Sequence, residues 1–246
     1  MLRSMKELTG YTLQAKDGEI GRCKDFLVDE NGWKIRYMVA DTRKWLPGRK
    51  VLVTPLSLDT PQWEDNSLPV LLTQEQIKNA PDLDADAPVT REYEIWWHEH
   101  YGWNQYWAAG PMGEMVHAEG VPSAKQLEER REGPDLDNTH LHSLDSLLTY
   151  GLRAKDGEVG QVEDLIFDDQ NWTVLYMAVN TGSLLSGGEK VLVPIVRTTG
   201  VDWRESRVEV DLYKEKIQDS PPFDPSQPVN AELTTRHYDY QGRPVD

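Results

Sequence analysis

The eleven residues Tyr11 to Gly21, Tyr-Thr-Leu-Gln-Ala-Lys-Asp-Gly-Glu-Ile-Gly, return 139 positions later as Tyr-Gly-Leu-Arg-Ala-Lys-Asp-Gly-Glu-Val-Gly, Tyr150 to Gly160. Between Tyr11–Thr42 and Tyr150–Thr181, 14 of 32 positions are identical, where unrelated segments would share about two. After one inserted residue the match resumes: Lys50–Val53 with Lys190–Val193, Trp63 with Trp203, and 70–81 with 210–221. A repeat of that period means two copies of one unit, not a solenoid, whose repeats are shorter and more numerous. The expected organisation is a first copy over residues 1–103 with an aromatic C-terminal extension, a linker over 104–139, and a second copy over 140–246. Within the linker, 124–132 reads as a helix capped by Ser123 and Gln126 and stopped by Gly133-Pro134.

Within a copy the pattern is one of short strands. Ile20–Asp29 and Trp33–Asp41 read as a hairpin, joined through Asn31-Gly32, a pair that accepts the positive φ of a tight turn. Period two puts Trp33, Ile35, Tyr37 and Val39 on one face. Short strands are expected near Val51–Thr54 and Leu68–Leu72. Thr73 and Gln76 form a capping box for a helix at 74–80, repeated at 214–219. Trp33 and Trp172, Tyr37 and Tyr176, Val51 and Val191, and Val53 and Val193 are the expected core. The fold class predicted is mainly β: two small antiparallel barrels, each followed by a short helix and joined by a partly ordered linker. Closing a barrel removes sheet edges. A unit of this size has a modest core, so the copies or their flanks should pack together.

The net charge of −16, from 42 acidic and 26 basic residues, argues against nucleic acid, whose binding rests on Lys and Arg at phosphates. No apolar run reaches a membrane span, and the first twenty residues lack a secretory core. The single cysteine, Cys23, allows no internal disulfide. The expected compartment is the cytoplasm.

Leu2-Arg-Ser4, Thr9-Gly-Tyr11, Ala15-x-Asp-Gly-Glu-Ile-Gly21, Asp25-Phe-Leu-Val-Asp29, Trp33-x-Ile-Arg-Tyr37, Asp41-Thr42 and Val51-Leu-Val53 together resemble the PRC-barrel family, and the second copy carries the same string from Leu141-His-Ser143. That family is named for the cytoplasmic domain of the photosynthetic reaction-centre H subunit. It includes the C-terminal domain of the ribosome maturation factor and many stand-alone bacterial proteins. The resemblance implies a small β-barrel acting as an adaptor on other proteins, with no catalytic residues to carry over. It also leaves a membrane-peripheral role near electron-transfer complexes as an alternative.

The most distinctive local feature is aromatic: Trp96, Trp97, Tyr101, Trp103, Tyr106 and Trp107 fall within twelve residues. Left in solvent they would form an apolar patch larger than soluble monomers tolerate. They are expected to be ordered and to pack on folded protein, within the chain or, alternatively, across a homodimer. These six residues are the candidate protein-interaction site, and edges of Trp97 or Trp103 should stay exposed for it. The second copy's counterpart, Arg236–Gly242, is shorter. His98 with His100, and His140 with His142, share a face if extended, but no further ligand has diagnostic spacing. Asp17-Gly18-Glu19 lacks the alternating oxygen ligands of a calcium loop. Asp25 and Asp29 stand about 13 Å apart on a strand, too far for an acid/base pair. Ser186-Gly-Gly188 precedes a strand, so it is no phosphate cradle. Neither a metal nor a cofactor is expected. The sequence therefore points to a non-enzymatic adaptor whose partners are proteins of unidentified type, with an enzyme site between the copies as the competing reading.

Overall fold

The computed structural model describes residues 1–42, 46, 49–81, 89–108, 140–182 and 189–225. The expected linker helix at 124–132, Ser186–Gly188 and the segment 236–242 lie outside the described residues. The first copy comprises β1 (Leu2–Ser4), α1 (Met5–Leu8), β2 (Thr12–Ala15), β3 (Gly18–Asp29), β4 (Lys34–Asp41), β5 (Lys50–Val53), β6 (Ser67–Pro69), α2 (Gln74–Lys78) and α3 (Arg91–Tyr101). The second comprises β7 (Leu141–Ser143), α4 (Leu144–Leu147), β8 (Gly151–Ala154), β9 (Gly157–Asp168), β10 (Thr173–Asn180), β11 (Lys190–Pro194), β12 (Thr198–Asp202), β13 (Arg207–Val210) and α5 (Lys214–Gln218).

The fold is mainly β, as expected, and the strands of the two copies are linked to one another rather than separate. Among the described residues they join in one sheet of 13 strands, ordered β12-β13-β8-β9-β10-β4-β3-β2-β6 along its main path. It is not purely antiparallel, because β6 runs parallel to β2 and β13 parallel to β8. The copies are joined directly where β10 pairs antiparallel with β4, Thr173 opposite Lys34, and also by an exchange of arms. β1 pairs antiparallel with the second copy's β9, Leu2 opposite Asp168. β7 pairs with the first copy's β3, Leu141 opposite Asp29. Each copy thus covers part of the other's sheet edge, which would otherwise stand unpaired.

Serine–aspartate contacts lock both arms. Ser4 Oγ donates to Asp164 at 2.5 Å, and the Lys6 amide donates to the same carboxylate at 3.1 Å. Ser143 Oγ donates to Asp25 at 2.6 Å, and the Asp145 amide at 3.2 Å. The same two serines cap α1 and α4, accepting from the Glu7 and Ser146 amides. Burial holds the Asp25 and Asp164 carboxyls above the usual carboxylate range, although these hydrogen bonds pull them down.

The β3–β4 hairpin departs from the expected tight turn. Asp29 pairs with Lys34, leaving residues 30–33 as the loop. Trp33 takes a left-handed conformation with φ 53°, as does Trp172 with φ 54°. Both tryptophans turn into the seam between the copies. The Ile35 amide donates to the Trp172 carbonyl and the Val174 amide to the Trp33 carbonyl, each at 2.9 Å. Trp172 lies against Phe26 and Phe167, with ring centroids 6.2 and 5.2 Å away.

A bulge at Arg36, repeated at Leu175, then breaks the expected alternation. Ile35, Met38 and Ala40 join the inner core, whereas Tyr37 and Val39 face outward beneath α3. The predicted core residues Trp33, Tyr37, Tyr176, Val51, Val53, Val191 and Val193 are buried, and Trp172 is half-buried. α2 has both halves of its capping box. Tyr213, at the equivalent position before α5, makes no capping bond.

Candidate functional site

The aromatic extension is helical because Thr90 caps it, accepting from the Tyr93 amide, and Gly102 ends it in a left-handed conformation with φ 65°. α3 lies on the outer face of its own copy, over Leu27, Tyr37, Val39 and Leu52, joined by Leu141 from the second copy's arm. Trp97 is the centre of that cluster. Its ring is 5.1 Å from Tyr37, 4.9 Å from Tyr101 and 5.2 Å from Trp103.

At 0% exposure Trp97 offers no edge to an external partner, so that part of the expected interaction site is corrected. On a helix the side chains of 97 and 101 stack on one face, and here that face is turned to the sheet. Trp96 points away and is 37% exposed. Tyr101, Trp103, Tyr106 and Trp107 are half-buried, with Tyr101 stacked on Trp103 at 4.6 Å. The helix also separates the two histidines that an extended chain would align. His98 is buried and His100 exposed.

Beneath α3 lies a polar network that the sequence did not disclose. Glu94 has no exposure. Its Oε1 accepts from the Tyr37 hydroxyl at 3.0 Å and from the Tyr106 hydroxyl at 2.7 Å. Its Oε2 is 3.0 Å from Arg91 and 3.2 Å from His140 Nε2. The Tyr37 oxygen is also 2.9 Å from His98 Nε2. With the Tyr37 proton given to Glu94, His98 is assigned as the donor of that bond. Burial pushes Glu94 up to about 7, against the pull of Arg91 and the two tyrosines. Burial lowers His98 and His140 to about 4, and the charge of Arg91 lowers both further. Both histidines are therefore neutral at pH 7.

A cleft of about 1000 Å³ opens between the copies beside this network. Tyr37, His98 and Tyr106 contribute to its wall, and Trp63 and Trp172 close other sides. Arg36 lies 3.7 Å over the Tyr106 ring, oriented by two hydrogen bonds to Asp29 at 2.8 and 2.9 Å. Arg3 lies 4.2 Å over Trp63 and 3.6 Å from Asp169. The equivalent place in the second copy keeps the tryptophan and the acid. There His142 stacks on Trp203 and reaches Glu30 at 3.1 Å. Burial lowers His142 to about 3.

Among the described residues no three His, Cys, Asp or Glu side chains group to hold a metal ion. Cys23 is buried, and burial pushes its thiol well up, which leaves it protonated and unreactive. No helix among the described residues is long and apolar enough to cross a membrane.

A model of the PRC-barrel domain family matches residues 152–217, within the second copy. No curated protein matches the chain.

Proposed function

We propose that the chain is a non-enzymatic adaptor built from two PRC-barrel-type copies and binding other proteins. The family match covers part of the second copy. Extending it to the first copy rests on the sequence repeat and on the recurrence of the arm, hairpin and bulge at equivalent positions. The observation that carries the binding role is a pair of exposed aliphatic side chains. Leu56, 83% exposed, and Val196, 62% exposed, stand on the same 3₁₀ turn of the two copies. One such residue is ordinary on a protein surface. The same knob on both halves of one sheet gives a partner two apolar points at a fixed spacing. Trp96 remains the exposed member of the aromatic segment and a third contact.

Support for the non-enzymatic reading comes from the polar network, in which the Tyr37 and Tyr106 hydroxyls are both committed to Glu94 Oε1. A second reading, an enzyme between the copies, is favoured by His98 and Tyr37 at the cleft wall. Of the carboxylates near them, Glu94 has no exposure and Asp169 is already paired with the N-terminal amine and Arg3.

The test is affinity purification of the tagged chain from its native cells beside Val196→Asp and Trp96→Asp variants. The adaptor reading predicts proteins retained by the parent and lost by at least one variant that melts like the parent. Identical retention by all three, or none by the parent, would overturn it.

A further inference from the structure

The cleft between the copies has a chemistry of its own. We infer that it is a binding site for a small, planar aromatic molecule carrying an anionic group: a carboxylate, sulfonate or phosphate. The site is independent of the adaptor reading.

Three observations carry this. The first is the lining. Trp63, Trp172 and Tyr106 line a space of about 1000 Å³, at the upper end of small-molecule sites. The second is charge. In a chain of net charge −16, the cleft gathers Arg3, Lys34 and Arg36, against Asp59 and Asp169. Arg3 and Arg36 are held against aromatic rings by Asp169 and Asp29, so their planes are set before any ligand arrives. Lys34 has no ion-pair partner among the described residues, and its charge is available to an anion.

The third observation is the repeat, which supplies an internal comparison. The equivalents of Trp63 and Trp172 are Trp203 and Trp33, so the two tryptophans of the scaffold occur in both halves. The equivalents of Arg3, Lys34 and Arg36 are His142, Thr173 and Leu175. His142 is neutral at pH 7 (its pKa is lowered to about 3). At the second position none of these three residues carries a fixed positive charge, so the shared scaffold does not require one at them. Three cations at the first position alone are therefore not accounted for by the scaffold.

The probe is 8-anilinonaphthalene-1-sulfonate, read by energy transfer from tryptophan, with the uncharged N-phenyl-1-naphthylamine as its comparison. The expected result is saturable binding of one sulfonate dye per chain, with the neutral dye weaker by about tenfold, a single charge contact being of that order. Lys34→Glu should weaken the sulfonate dye about tenfold or more. Leu56→Glu, at an 83% exposed position on the cleft rim, leaves the fold intact and should weaken it too. Val196→Glu, the same change in the other copy, should not. Should Lys34→Glu fail to fold by circular dichroism, Leu56→Glu against Val196→Glu decides alone. Equal binding of the two dyes, equal effects of the two glutamate variants, or no saturable binding would overturn the inference.

Discussion

At the scale of single residues, two side chains under α3 separate packing from charge. Trp97 is fully buried among aromatic and aliphatic neighbours, so Trp97→Ala leaves a large cavity. It should cost about 3–5 kcal/mol in urea denaturation. A loss under about 1 kcal/mol would place the helix elsewhere. Glu94 acts through its proton. Its folded pKa, about 7, lies above the ordinary value of 4.5. The folded state therefore holds a proton that the unfolded chain releases, and this residue makes stability fall as pH rises from 4.5 to 7. His98 and His140, lowered to about 4, and His142, lowered to about 3, act the other way. The unfolded chain takes up their protons first, so stability is lost as pH falls below 6.5. Three histidines outweigh one carboxyl over pH 4.5–6.5, and Asp25 and Asp164, raised by burial, oppose them at the acid end. Stability should rise with pH across that window, and Glu94→Gln should make the rise steeper. A parent whose stability is flat or falling there would contradict the assignment.

At the scale of elements, the arms are the features to test. Ser4→Ala removes a hydrogen bond to a buried carboxylate and Ser143→Ala one to a half-buried carboxylate, each with a helix cap, and each should cost about 1–3 kcal/mol. The two sites are related by the repeat, so similar losses are expected, and a neutral result at either would undo the locking role given to it. Gly21 and Gly160 mark another repeated constraint. A Cβ there would stand 2.0 Å from the Asp41 carbonyl oxygen and 2.2 Å from that of Asn180. Either glycine replaced by alanine should lower the melting temperature sharply.

These elements also show what was legible in the sequence. The hairpin strands, the capped α2 and the buried Val51 and Val53 follow from local pattern, and all were expected. The arms were not, because Leu2–Ser4 is three residues long and its partner strand is some 160 positions away. The Arg36 bulge left no local mark and turned Tyr37 and Val39 to the opposite face from Ile35. Of the candidate site, the aromatic cluster was visible, but its helical form was not. An extended reading of the histidine spacing hides the pairing of His98 with Tyr37. Lys34 and Arg36 could have been found by asking where the two copies differ in charge rather than where they agree.

At the scale of the whole molecule, the central claim is that the two copies are one interlocked sheet, each completed by the other's arm. It predicts a single cooperative unfolding transition in calorimetry; two resolved transitions would mean independent copies. The most direct measurement is native-state hydrogen exchange on the chain lacking residues 1–8, compared with the full chain. β1 pairs with β9 at Ile166, Phe167 and Asp168 of the second copy, whereas the equivalent stretch of β3 keeps its partner β7. The account predicts that the truncation speeds exchange at 164–168, far along the chain, beyond any change at 25–29. Faster exchange confined to the first copy, with 164–168 as protected as in the full chain, would contradict it.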